Sequence, residues 1–587
     1  MEEARRGRLE GNDMISMRLF GGAAVSAALV LLLGTSSSSQ SSDYGPAKVA
    51  YEDYIKRPSL QMRSRGRIKL AATQDPRALK ILYDSYAKKW DPNDQEHYLI
   101  ASIAANSFSD EASVPTWKEW REKYPAAQEA WLWYRAMLIE GSNGKEDELY
   151  KVATEHKDLF LRAAALEALA QNNSDKLLPF LDTVAEGVKK TKGIDRIVMA
   201  ETAIRCLQSQ AFKLGTEEFR KPAMKLIDLL DDKDTTPRTK LVLARYLRET
   251  LGGDKLYINA KPWHWMLLNP GKALPAGEGG KDGRYAEPPK PKFVGLEAAG
   301  TRIAYVIDLS DSMMTPFSAK EKEEIKKPPP PRKGPITGGD EPGKQDPQPK
   351  DDPKPEEKPK EKDLEDEMPW DKITCRFHVA REYLKLSLKG LTPEQSYCVI
   401  VFGTEAKLMN STKGLVQATP QNVQATIREL DAIKPGAPTT DRKHGTIMGN
   451  TNLHGGIHRA FKVRKGGLGK EYEYVDPVGF SDGADTIFIL SDGDPTDDDW
   501  AIQDKRDPDD QTGDPESRVK HADQPVLRFP GPYGYRYEGT YLPDDVRRLN
   551  LFRKCTIKCI GIGEVTAGLL NRIAEASIDG EVKMVGK

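Results

Sequence analysis

The sequence predicts a multidomain chain: an α-helical solenoid or bundle, followed by an α/β domain with a doubly wound parallel sheet. Three observations carry that expectation. The chain has 587 residues, too many for one hydrophobic core at roughly 100–200 residues per domain. From about Leu60 to Leu251, apolar and charged residues recur at helical spacing, broken by turns such as Gly141-Ser-Asn-Gly144 and Asp231-Asp-Lys-Asp234. Beyond residue 292, short apolar runs alternate with amphipathic stretches, the pattern of parallel strands covered by helices.

The N-terminus comes first. Leu19 to Leu33 is uncharged, and a serine run follows it. The stretch is shorter than the roughly 20 residues a spanning helix needs, so residues 1–42 read as a secretory signal, with an uncleaved membrane anchor as the alternative. Met1 to Asp13 is mixed in charge, unlike the start of a signal, which makes Met14 or Met17 a candidate first residue. The protein is therefore expected to be exported (secreted, periplasmic or in the cell envelope) and to meet a membrane only through that segment.

Composition narrows the function. Charged residues make up 30% of the chain and the formal net charge is -1, so there is no basic field of the kind that gathers nucleic acid, and no such partner is expected. The five cysteines, Cys206, Cys375, Cys398, Cys555 and Cys559, cannot all pair internally. Cys555 and Cys559 fall in an expected strand, where residues four apart lie roughly 13 Å from each other, too far for a bridge. Buried small hydrophobes are the expected role of most of them.

Residues 43–267 form the expected helical domain. Within it Asp158-Leu-Phe-Leu-Arg-Ala-Ala-Ala-Leu-Glu-Ala-Leu-Ala170, then Asn173 and Lys176-Leu-Leu-Pro-Phe-Leu181, resembles a HEAT-type helix pair, with an ordinary bundle as the alternative. Residues 268–292 collect Gly, Pro, Lys and Glu and read as an exposed linker between separately folding parts. The α/β domain is expected over 293–587. Its stretch 318–368 alternates Pro with charge around Pro328-Pro-Pro-Pro331 and reads as a solvated tether. A second insertion, 497–543, carries the aromatic cluster Gly531-Pro-Tyr-Gly-Tyr-Arg-Tyr-Glu-Gly-Thr-Tyr541.

The chemistry lies at strand ends. Thr301-Arg-Ile-Ala-Tyr-Val-Ile307 reads as a buried strand that delivers Asp308-Leu-Ser-Asp-Ser312, where alternate residues aim one carboxylate and two hydroxyls into one crevice, an oxygen set that suits a hard cation. An amphipathic helix follows at Arg376 to Leu391, and a second strand at Tyr397 to Phe402. Thr451 stands on a loop just before a helix. Asp485 to Leu490 is a third strand, ending in Ser491-Asp-Gly-Asp-Pro495, and helix then strand return between Val546 and Ile562. In such a sheet, ligands sit at the carboxyl ends of the strands.

Over about Phe293 to Lys587 the chain resembles the von Willebrand factor A domain family and its metal-ion-dependent adhesion site. By that resemblance Asp308, Ser310 and Ser312 form the first metal loop, Thr451 the second and Asp492 the third. The resemblance implies Mg²⁺, or Mn²⁺ or Ca²⁺ in its place, with one coordination position open to a partner's carboxylate. The family pattern usually has Gly where Asp311 stands, and 318–368 separates the first loop from its helix. Asp311, Asp494, Tyr533, Tyr535 and Tyr537 are the expected ligand rim. The implied function is a binding module for a protein that presents Asp or Glu, and not an enzyme. The alternative is a structural or assembly scaffold whose metal only stabilises the fold. Charge supports the set independently, because Asp308 and Asp492 together roughly neutralise a divalent ion.

Other motifs fall away. Gly479-Phe-Ser-Asp-Gly483 matches a nucleophile elbow, but the strand follows the serine instead of preceding it. Ser310 stands where a phosphatase of the Asp-x-Asp type needs its second carboxylate. His454 and His458 have the four-residue spacing of zinc sites without the intervening Glu, and are expected at the surface. The acidic run from Asp492 to Asp499 lacks the glycine and the bidentate glutamate of a calcium loop.

Limited proteolysis should cut first within residues 318–368, which hold almost no aliphatic side chains. The two pieces should remain associated through gel filtration, because the first strand lies N-terminal to the cut and in the middle of the expected sheet. Separation without denaturant would contradict that sheet.

Overall fold

The computed structural model describes residues 43–57, 60–88, 96–124, 130–253, 255–272, 274–275, 291–326, 368–469, 477–496, 499, 541–563 and 567–585. The expected signal or anchor lies outside them, as do most of 318–368 and 497–543. Among the described residues, no helix is long and apolar enough to cross a membrane.

Some helices in the first part begin where a side chain satisfies the free amides of a first turn. Asp75, Asp158, Thr216 and Thr236 each accept a bond from an amide just ahead of them. Pro76 and Pro237 stand at first positions, where a missing N–H costs nothing. The helices are α1 (Tyr44–Tyr54), α2 (Leu60–Ala71), α3 (Pro76–Tyr86), α4 (Glu96–Ser107), α5 (Val114–Lys123), α6 (Ala130–Ser142), α7 (Glu146–Glu155), α8 (Leu159–Gln171), α9 (Leu177–Val188), α10 (Gly193–Ser209), α11 (Glu217–Asp228), α12 (Pro237–Leu251) and α13 (Ala260–Leu268). They stack in two rows. Helices α2, α4, α6, α8, α10 and α12 pack in succession, while α9, α11 and α13 lie behind, each against its chain neighbour in the first row. Alanines at 163, 164, 165 and 168 leave α8 room to be covered on nearly every side, and they are fully buried.

The second part opens with the antiparallel pair β1 (Lys292–Phe293) and β2 (Leu296–Glu297). There follow β3 (Arg302–Asp308), α14 (Ala319–Lys326), α15 (Arg376–Lys389), β4 (Ser396–Phe402), β5 (Ala406–Leu408), β6 (Val416–Gln417), α16 (Pro420–Ala432), α17 (Leu453–Lys462), β7 (Val463–Arg464), β8 (Gly467–Leu468), α18 (Pro477–Asp482), β9 (Thr486–Ser491), α19 (Tyr541–Arg553), β10 (Thr556–Ile562), α20 (Ala567–Ala574) and β11 (Glu581–Val585). The main sheet runs β11-β10-β9-β3-β4-β5, with β6 also on β4. Strands β11, β10, β9, β3 and β4 are parallel, and β5 and β6 pair antiparallel.

Alternation along each strand divides the core. Tyr305, Ile307, Val399, Val401, Phe488 and Leu490 join the apolar faces of α15 and α16, while Val306, Ile400, Ile487, Ile489 and Ile557 join those of α17, α19 and α20. All five cysteines are free and buried, the state expected of most of them.

The structure differs from the sequence reading in three places. Helix α14 occupies the start of 318–368, a stretch expected to hold no element. Ser318 Oγ accepts from Glu321 N at 3.1 Å while Glu321 Oε2 accepts from Ser318 N at 2.8 Å, a reciprocal cap strong enough to start a helix. Helix α19 likewise begins at Tyr541, inside the stretch 497–543. The chain leaves for the first insertion and returns side by side: Pro316 bridges Cys375, and Phe317 N donates to Thr374 O at 3.1 Å.

The third difference lies at the amino ends of the strands, where the two parts share a core instead of meeting through a linker alone. Phe480 and Phe552 pack on Phe160 of α8, with ring centroids 5.5 and 5.7 Å away. Around this contact, buried charges cross from one part to the other. Lys554 Nζ reaches Glu167 Oε1 at 2.7 Å, and Arg205 Nε reaches the second oxygen at 3.1 Å. Arg238 bonds Glu201 and the carbonyl of Arg553, and Arg245 bonds the carbonyls of Ala299 and Asp485. Charges withdrawn from water in this way are tolerated only with partners in place.

Glu167→Ala should therefore cost about 3–5 kcal/mol, the range for breaking a buried pair from one side. It strands Lys554 and Arg205 together. A lower unfolding midpoint in urea is the expected reading, and an unchanged midpoint would show that water replaces the carboxylate freely.

Candidate functional site

Strand β3 is paired on one side with β4, the next strand in the chain, and on the other with β9. The connections leaving β3 and β9 turn apart at such a junction, opening a crevice at the carboxyl ends of the strands. Asp308 ends β3 there, and Ser491 and Asp492 end β9.

The side chains form one continuous network. Asp308 is fully buried; Oδ1 accepts from Ser310 N at 2.7 Å and Oδ2 from Ser491 Oγ at 2.7 Å. Ser310 Oγ and Ser312 Oγ are 2.9 Å apart, and Ser312 Oγ donates to Asp492 Oδ1 at 2.7 Å. Arg376 Nη1, on the first residue of α15, donates to Asp492 Oδ2 at 3.2 Å and is linked to Glu321 of α14. Thr451 is buried on the loop before α17, held by two bonds to Thr496: its N–H donates to Oγ1 at 3.0 Å and its carbonyl accepts from the amide at 2.9 Å. Gly493 lies near both Ser312 and Thr451. A Cβ added there would lie 3.9 Å from both Ser312 Oγ and Thr451 Oγ1.

Electrostatics mark this crevice as short of positive charge. Burial first, and then the Asp492 charge, push the Asp308 carboxyl well above the usual carboxylate range. Burial also raises Asp492, although Ser312 and Arg376 pull the other way. Two buried carboxylates with three hydroxyls beside them form a hard, oxygen-only donor set. A divalent cation among them would offset both the desolvation and the mutual repulsion. The residues present fit Mg²⁺, Mn²⁺ or Ca²⁺.

The sequence-derived residues Asp308, Ser310, Ser312, Thr451 and Asp492 thus converge on one crevice. The rim is more divided. Asp494 is exposed beside it, and Tyr533, Tyr535 and Tyr537 lie outside the described residues. Asp311 is not a rim residue: it is buried, with Oδ1 accepting from the amides of Ile447 at 2.7 Å and Gly449 at 2.9 Å, and Oδ2 facing Arg442 Nε at 3.2 Å. Its carboxylate braces the loop that carries Thr451.

Sequence reasoning missed Arg376, Glu321 and Ser491. Only Ser491 carried a signal, as the hydroxyl flanking Asp492 at a strand end. The rejected elbow serine, Ser481, sits within α18 and bonds the carbonyl of Val478 at 3.1 Å. His454 is buried and His458 half-buried, in place of the surface positions expected, and both point at Asp545. Comparison with protein-family models and with curated proteins finds no match to this chain.

Asp311→Ala should leave the amides of Ile447 and Gly449 without their acceptor, at about 1–3 kcal/mol for each buried donor left unpaired. Faster hydrogen exchange confined to residues 446–452 is the expected result. Uniform exchange rates would mean the loop holds itself.

Proposed function

We propose that this chain is an exported protein whose second part is a von Willebrand factor A-like domain with a metal-ion-dependent adhesion site, carried on a HEAT-like helical scaffold. It binds and does not catalyse. The observation that supports this reading best is the convergence of Asp308, Ser310, Ser312 and Asp492 with the Thr451 loop at the junction of β3 and β9.

In this reading, hydroxyls and water hold Mg²⁺ between the two carboxylates, and one coordination position stays open. Two negative charges balance the ion, so no carboxylate of the site competes for that position. Arg376 satisfies one oxygen of Asp492 and is itself balanced by Glu321, so the loaded crevice is close to neutral and the open position keeps the ion's own attraction for an anion. An Asp or Glu from a protein partner is the group that suits it.

Calorimetry of the full chain tests the site. Mg²⁺ should bind wild type, and Asp308→Ala and Asp492→Ala should each weaken it at least tenfold, while Ser310→Ala does less because water replaces a neutral hydroxyl. Partner capture should be lost in chelator and restored by Mg²⁺. Equal Mg²⁺ binding by wild type and Asp308→Ala would remove the metal from this crevice.

A further inference from the structure

A second cluster lies between two helices on the other side of the Thr451 loop. His454 and His458 stand one turn apart on α17, and Asp545 comes from α19. His454 Nε2 is 3.3 Å from Asp545 Oδ2, and His458 Nε2 makes a hydrogen-bond contact with the same oxygen. The imidazole centroids are 4.0 Å apart, and the three donor atoms all fall within 4.8 Å of one another.

The geometry points to a second metal centre, in which His454 Nε2, His458 Nε2 and Asp545 Oδ2 hold one Zn²⁺-like ion of borderline softness. Tetrahedral bonds of ~2.0–2.1 Å to nitrogen and oxygen place neighbouring ligands about 3.3 Å apart, which is the separation His454 and Asp545 already have. An ion would move His458 and Asp545 apart from direct contact and take the place of their shared proton. Two imidazoles and one carboxylate select Zn²⁺ over Mg²⁺, opposite to the oxygen-only crevice.

The surroundings are those of a built site. Arg548 binds the other oxygen of Asp545, with Nε at 2.8 Å and Nη2 at 2.7 Å, which orients the carboxylate and leaves Oδ2 aimed at the histidines. The His454 and Asp545 side chains are 3% and 0% exposed, whereas His458 is 17% exposed and gives an ion a way in. The fourth position belongs to water. Because α17 starts two residues after Thr451, and α19 is where the chain returns from 497–543, the ion would fasten that return to the helix behind the crevice.

The test is metal loading of the full-length, tag-free chain with Zn²⁺ in excess Mg²⁺, followed by desalting and elemental mass spectrometry. One Zn²⁺ per chain is expected in wild type and in Asp308→Ala, and none in the His454→Ala/His458→Ala double variant. Asp545→Asn, which preserves volume, reads the same loss if the double variant fails to fold. Co²⁺ loading should give the strong visible absorption of a four-coordinate ion, absent from the same variants. The inference is overturned if wild type retains no zinc, if the histidine and Asp545 variants retain as much as wild type, or if Asp308→Ala alone abolishes retention.

Discussion

The register between β3 and β9 is the constraint on which the other features depend. Ile303 pairs with Thr486 and Ile307 with Leu490, so the two strands start and finish together. At the finishing end this sets Asp308 against Ser491 and brings Asp492 within reach of Ser312. At the starting end it sets Thr301 and Arg302 against Asp485, whose carboxylate accepts both their amides at 3.1 Å. A slip of one residue would put Tyr305 and Phe488, stacked at 5.6 Å, on different faces and dismantle both ends at once.

The ends then do different work. The amino ends are closed by the helical row, through apolar contact at Phe160 and a set of charges that cannot be left without partners. The carboxyl ends carry polar groups that, among the described residues, interact chiefly with one another. The first part therefore holds the sheet from the ends opposite the crevice.

The strand ends were legible in the sequence because their chemistry is local. Asp308, Ser310 and Ser312 alternate over five residues, and Asp492 and Thr451 each follow a clear apolar or loop signal. Long-range pairings carried no such signal. Glu167 lies in a helix and Lys554 just before a strand, and only folding brings them together across 387 positions. Asp545 lies 87 residues beyond His458, so helical spacing alone revealed half of that cluster. Asp311 looked like a departure from a family pattern, and its partners are main-chain amides, which no sequence displays. Helix α14 was the exception. Its Ser318 to Glu321 cap is local, but it opens a charged, proline-rich stretch whose composition masks it.

One local feature bears on how this molecule tolerates change. Pro316 and Phe317 lie beside Thr374 and Cys375 in a closed neck, so the chain between them begins and ends at nearly the same point. The entropy of closing a loop rises only by about 0.6 kcal/mol for each doubling of its length. With the neck intact, residues can be gained or lost in that loop over generations, or a whole foreign domain spliced into it, and Asp308 and Arg376 on either side would keep their positions.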